Sequence, residues 1–318
     1  MILFSRFSNL NLIPGVKRSM KIGYACINTT LAEEKVQVNR SMVKRTFQEK
    51  GPAYASELAL KNVTDLEKVV DWNIRNGLLL YRMSSDMFPW MSEYEIAELP
   101  DHAPIKNCLT RIGEKVRLNP VRLTYHPGPF NVLATRNPGV LAKTIKELTQ
   151  HGEIMDMIGL PRSPFAKINI HIGGAYGDRT SAIQRFIHNF SMLPAAVSTR
   201  LTVENDDKAN MFSVADLLTV HEATGIPIVF DYHHHHFRSG DLTTEEAMLL
   251  AYDTWPRQIT PIVHFSSSRK KFEDPASAEA SHADFVYDRI NRFGFDVDIM
   301  LEAKAKEKAT MQFIREYS

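Results

Sequence analysis

Cysteine is scarce in this chain: Cys26 and Cys108 are the two among 318 residues. A pair builds no disulfide framework. Both read as small buried apolar side chains in a protein of a reducing compartment, the cytoplasm. Long apolar runs are lacking too. No stretch approaches the ~18 residues a membrane-spanning helix requires, so no membrane partner is expected. Charge of one sign is not in excess, for Lys and Arg number 38 against 37 Asp and Glu, a net +1. A protein that only coated nucleic acid would be more basic, so any contact with a polyanion has to come from a local patch. Arg269, Lys270 and Lys271 form one short basic run, read as a solvated loop or a phosphate contact. No Gly-rich phosphate loop follows the first strand-like run. The GGAYG stretch at 173–177 does not fit G-x-G-x-x-G and reads as a turn allowing close backbone approach. There is no G-x-S-x-G elbow, and Ser266–Ser268 lack an evident base, which argues against a serine nucleophile.

What is present is a core-forming composition, 44% hydrophobic and 24% charged. Strand-like runs fall at 21–26, 78–82, 121–126, 167–171, 200–204, 227–231, 260–264 and 296–302. Most are nearly continuously apolar, as in parallel strands buried on both faces. Helical periodicity fills the intervals. Val63, Leu66, Val70 and Ile74 share a face before the stop at Gly77, and Ile105, Leu109, Ile112 and Val116 share another. Ser213 caps a helix that Gly225 closes, and Thr243 or Thr244 opens the helix after the sixth run. Eight such alternations predict an α/β fold, a single-domain (β/α)8 TIM barrel over 21–318, rather than an open doubly wound sheet. Residues 1–20 carry Arg6, Lys17 and Arg18 and no acid. They resemble a transit peptide in composition but are read as a disordered extension or an upstream start, since Met20 directly precedes the first strand.

From Val121 onward, six apolar runs in succession end on a metal-binding side chain: His126, His171, Glu204, Asp231, His264 and Glu302. In a barrel those positions gather around one mouth, where barrel enzymes keep their chemistry. A buried imidazole or carboxylate costs several kcal/mol unless paired or metal-bound, so the set asks for a common compensation. Singly, each has a plainer reading: a hydrogen-bonded structural imidazole, or Glu204 paired with Arg200 or Lys208. His234, three residues past Asp231 in the His233–His236 run, is placed in a loop over the mouth, and His282 in the next loop. Both are candidates to hold a further ion. Mixed His and carboxylate donors suit Zn²⁺, Mn²⁺ or Fe²⁺. Clustered ions of this kind suit hydrolysis of a phosphate ester.

These residues lie in GYACINTTL (23–31), LYRMSSDMFP (80–89), LTYHPG (123–128), INIHIGG (168–174), LTVENDD (201–207), IVFDYHHH (228–235), SHADF (281–285) and DIMLEAKAKE (298–307). In those stretches, and in their order over nearly all of 21–315, the chain resembles the UV damage endonuclease family. The resemblance implies a barrel related to the endonuclease IV type. It implies a DNA repair endonuclease that cuts the backbone of damaged double-stranded DNA immediately 5′ of UV photoproducts, without ATP, using three divalent ions, commonly Mn²⁺. It also implies that His126, His171 and Glu204 hold one ion. Glu204 would bridge to a second ion with Asp231, His264 and Glu302, and His234 and His282 would serve the third. Glu204, Asp231, His264 and Glu302 are then the catalytic set. Tyr24 and Asn28 match residues that family members press into the duplex beside the lesion.

The chain departs from the family pattern at three places. Pro129 and Phe130 stand where a glutamine and commonly a tyrosine probe the lesion, and Phe130 can still wedge or stack. Ile262 stands where some members carry a modified lysine, and Glu93 where some carry a further His. The expected DNA contacts are thus Tyr24, Asn28, Phe130, Arg269 and Lys270, in a chain read as a monomer with no protein partner. Two other readings remain: a metal-dependent sugar isomerase on a similar barrel, and a nucleic-acid-binding protein with a closed structural metal site.

Overall fold

A computed structural model describes residues 20–317. The expectation for the N-terminal extension falls almost entirely outside the described residues. Eight short parallel strands form one sheet: β1 (Ile22–Ala25), β2 (Leu80–Met83), β3 (Arg122–Tyr125), β4 (Ile168–Ile170), β5 (Leu201–Glu204), β6 (Ile228–Val229), β7 (Ile262–Phe265) and β8 (Asp298–Leu301). Their order is β6-β5-β4-β3-β2-β1-β8-β7, and a lone parallel bridge between Asp231 and His264 joins the two ends. The barrel is therefore closed, and the expected eight strands are all found where the apolar runs placed them, within two residues at either end.

Helices wrap the outside. Lys44–Arg75 is bent at Gly51 (φ 64°), just ahead of Pro52, whose ring cannot continue the preceding turn. Val63, Leu66 and Val70 are fully buried against the sheet, while Ile74 is only partly covered. Ser213 and Asp216 make a reciprocal capping box, with Gly225 left-handed (φ 73°) at the far end; Thr243 caps its helix in the same way with Glu246.

The period of two along each strand separates two cores. Outward side chains join the helices in one extended apolar cluster. Inside the barrel, Ala25, Leu80, Val229, Ile262 and Met300 pack as a small apolar plug together with Trp255. Below the plug, Arg122 of β3 is fully buried and pairs with Asp298 of β8 at 2.8 Å. Its remaining donors reach the carbonyls of Phe165 (2.7 Å), Thr260 (2.7 Å) and Pro164 (3.1 Å). Above the plug, at the C-terminal ends of the strands, the inward positions carry the His and carboxylate groups.

Candidate metal centre

Glu204, the last residue of β5, is fully buried and sits at the middle of the mouth. His126 Nε2 lies 3.1 Å from its Oε2, His264 Nδ1 3.1 Å from the same oxygen, and His234 Nδ1 3.2 Å from Oε1. His264 Nδ1 is also 3.2 Å from Glu302 Oε1 and 3.9 Å from Asp231 Oδ2. Two donor triads result, His126–His171–Glu204 and Glu204–Asp231–His264, with the donor atoms of each within 4.8 Å of one another. Glu204 belongs to both. Although close, Glu204 Oε1, Asp231 Oδ2 and His264 Nδ1 satisfy no hydrogen-bond geometry and are sealed from solvent. Buried polar atoms left so unpaired need a partner, and these converge on shared space between them. The donor set fits divalent cations.

Its electrostatics agree. Burial would raise the carboxyl of Glu204, yet the imidazoles of His264 and His171 hold it well below the usual range. Asp231 moves the other way, pushed up to about 7 by burial and by the like charges of Glu204 and Glu302. His171 rises to about 9 and His234 to about 11, because neighbouring carboxylates outweigh the cost of burying their charge. His264, beside Lys167, falls to about 4, chiefly through burial. Without a cation, the site holds its negative charge by keeping protons on two of its imidazoles.

The structure thus brings together His126, His171, Glu204, Asp231, His234, His264 and Glu302. His282 stands at the margin, its ring 6.5 Å from that of His234 and its Nδ1 held by Ser266 Oγ at 2.8 Å. The His-rich run is not a loop: Tyr232–Phe237 forms a short helix capped by Asp231, whose carboxylate accepts from His234 N. Arg200 does not pair with Glu204 but with Asp156 at 2.8 Å.

Tyr24 and Asn28 lie beneath the mouth rather than on its rim. Tyr24 is fully buried, its hydroxyl donating to Asn73 Oδ1 at 2.7 Å and accepting from Asn28 Nδ2 at 2.8 Å. Asn28 is buried too and caps the helix Thr29–Ala32. Each side chain is thus held by the other, Tyr24 also by Asn73 and Asn28 also by the start of its helix. Phe130, by contrast, is 86% exposed. Arg269 already faces Asp284 (3.4 Å), and Lys270 is paired with Glu279, so the basic run is partly neutralised from within. Glu93 pairs with Lys143 at 2.6 Å and joins neither triad, and Ile262 belongs to the apolar plug.

Four residues of the site escaped the sequence reading. Arg82 of β2 is paired with Glu302, and Asn169 of β4 donates to Glu204 Oε2. Asp206 Oδ1 is 3.1 Å from His171 Nδ1. Lys167, fully buried, has its Nζ 3.2 Å from His264 Nε2, and burial pushes its amine down to about 7. The signal was the inward period of two: Asn169 and Lys167 lie two and four residues before His171.

The chain's relatives give its family. The sequence model of the family described as UV-endonuclease UvdE matches residues 20–318. The UV DNA damage endonuclease of Bacillus thuringiensis subsp. konkukian (strain 97-27) is 33% identical over 266 residues, 82% of each chain. Among solved structures, that of SacUVDE superposes with a TM-score of 0.80 at 29% identity, covering 93% of this chain and 97% of the other. Endonuclease IV from Thermus thermophilus shares the fold, with a TM-score of 0.54 at 12% identity over 92% and 96% of the two chains. By sequence over nearly its whole described length, this chain belongs to the UV-endonuclease UvdE family.

Proposed function

We propose that this protein is a DNA repair endonuclease that hydrolyses the phosphodiester backbone immediately 5′ of UV photoproducts, working with a cluster of divalent ions, Mn²⁺ foremost. The observation that carries the proposal is the pair of donor triads meeting at Glu204. His126, His171 and Glu204 would hold one ion, and Glu204, Asp231, His264 and Glu302 a second. His234 and His282 would serve a third. Divalent ions held by these residues would supply activation of a water and charge stabilisation for the leaving oxygen of an in-line displacement.

The chain's own residues prepare that centre. Asp206 turns His171 so that Nδ1 faces the carboxylate and Nε2 is left for a cation. Lys167 fixes the far edge of His264, directing Nδ1 toward Glu204 and Glu302. Arg82 offsets the charge of Glu302, so the carboxylates need not all be neutralised from outside. Phe130, projecting from the rim, is placed to wedge into a distorted duplex, although Pro129 beside it offers no side-chain hydrogen bond. Family membership favours this nuclease over a sugar isomerase, whose small substrate would give an exposed rim aromatic no role.

Purified protein with Mn²⁺ is expected to nick UV-irradiated supercoiled plasmid and spare unirradiated plasmid. Equal nicking of both, or of neither, refutes the assignment. Glu302→Gln should abolish nicking while the circular dichroism stays that of the wild type; a variant that cuts at the normal rate removes Glu302 from the centre.

A further inference from the structure

The GGAYG loop after β4 remained outside the site described so far. It begins two residues past His171, so it stands on the same mouth. Gly173 (φ 62°), Gly174 (φ 58°), Tyr176 (φ 47°) and Gly177 (φ 80°) are all left-handed. Tyr176 is the one among them whose side chain makes that backbone costly. Its ring is nevertheless 55% exposed, so burial of the aromatic does not explain the strain.

The surroundings fix the ring in place. Arg185 donates to Ala134 O at 2.8 Å and Gly174 O at 2.7 Å, clamping the loop to the one that follows β3. A Cβ on Gly174 would come within 2.6 Å of Ala134 O, so the two loops meet backbone to backbone. The guanidinium of Arg136 lies 4.9 Å from the Tyr176 ring centroid, and that of Arg185 5.7 Å. Arg136 is exposed and forms no ion pair among the described residues. The neighbouring acid, Asp178, is engaged by Ser181 N and Oγ as a helix cap.

We propose that Tyr176 and Arg136 form a rigid aromatic–guanidinium platform that grips the DNA duplex beside the metal centre, the arginine on a backbone phosphate and the ring against an adjoining sugar or base. This rests on the nuclease reading above. An exposed ring suits the apolar face of a nucleotide, and an unpaired guanidinium suits its phosphate. The fixed backbone means that little freedom is lost on binding.

The test uses the full chain with Mn²⁺ and a fluorescently labelled undamaged duplex, titrated by anisotropy over a series of salt concentrations. Tyr176→Gly is the informative variant because glycine accepts the left-handed backbone, so the loop keeps its shape and only the ring is lost. Tyr176→Gly is expected to bind on the order of tenfold more weakly while unfolding no earlier than wild type, and Tyr176→Phe to bind like wild type. Arg136→Ala is expected to lower the slope of log affinity against log salt by about 0.9, the signature of one lost phosphate contact. Wild-type affinity and slope in both Tyr176→Gly and Arg136→Ala overturn the platform. If the wild-type chain nicks irradiated plasmid in that case, the nuclease reading stands and the platform alone falls. If the wild-type chain neither nicks nor binds, both fall.

Discussion

Asp206→Ala gives a sharp test of how the centre is assembled, because two effects of opposite sign can be separated. Asp206 Oδ1 sits 3.1 Å from His171 Nδ1, and its Oδ2 accepts from Phe212 N at 3.2 Å. Removing the carboxylate frees the imidazole to rotate. Loss of such an orienting partner typically weakens metal binding by about 10- to 100-fold, or about 1.4–2.8 kcal/mol. Yet Asp206 is also one of the carboxylates that lift His171 to about 9, so its loss makes the imidazole easier to deprotonate. Near neutral pH that easing offsets part of the weakening, because a cation no longer has to displace so tightly held a proton. The apparent loss should therefore be larger at about pH 8.5 than at about pH 7, where proton competition matters more. Chelator-competition titration with Mn²⁺ at the two pH values measures both. Asp206→Asn, which keeps an acceptor for Phe212, should show the same pH trend with a smaller loss. A Mn²⁺ affinity equal to wild type at the higher pH would refute the orienting role. A loss that shrank with rising pH would refute the reasoning about the proton.

Asp298→Asn should destabilise the fold by roughly 3–5 kcal/mol, since it leaves the guanidinium of Arg122 buried without its counter-charge. The double variant Arg122→Met/Asp298→Leu should recover most of that loss, and urea denaturation compares the two; equal losses would mean the ion pair is not what matters there. Metal binding should strengthen as pH rises. The sign follows from His171 and His234, raised to about 9 and 11, which carry protons at neutral pH and must shed them to ligate. Calorimetry in buffers of different ionisation heat should record protons released on Mn²⁺ binding, and no release would contradict the protonation assigned to His171 and His234.

The barrel was legible because parallel strands buried on both faces leave runs such as PIVF and VDIML that hardly any other local structure explains. The donors were legible for the same reason, each interrupting an apolar run at the same depth. Their supporting cast was not. Lys167, Asn169 and Arg82 share the inward period with the donors, but that period does not say which of the inward polar groups reach a ligand and which, like Arg122, serve the floor of the barrel. Asp206 follows Glu204 by two residues, but its approach to His171 depends on how β4 and β5 are staggered. The direction of Tyr24 was not legible either, because a strand-end aromatic in a matching motif gives no hint of whether it points to solvent or, as here, to Asn73 on the helix behind it.

The closing seam of the barrel has a consequence of its own. β6 has two residues, and the sole bridge joining it to β7 pairs Asp231 with His264, two of the proposed ligands. At this joint the backbone hydrogen bond from His264 N to Phe230 O, 2.9 Å, stands nearly alone, and the cations would act as the rivet beside it. Stripping them should let the cylinder gape first along 228–231, so amides there would exchange with deuterium well before those of β3 or β8.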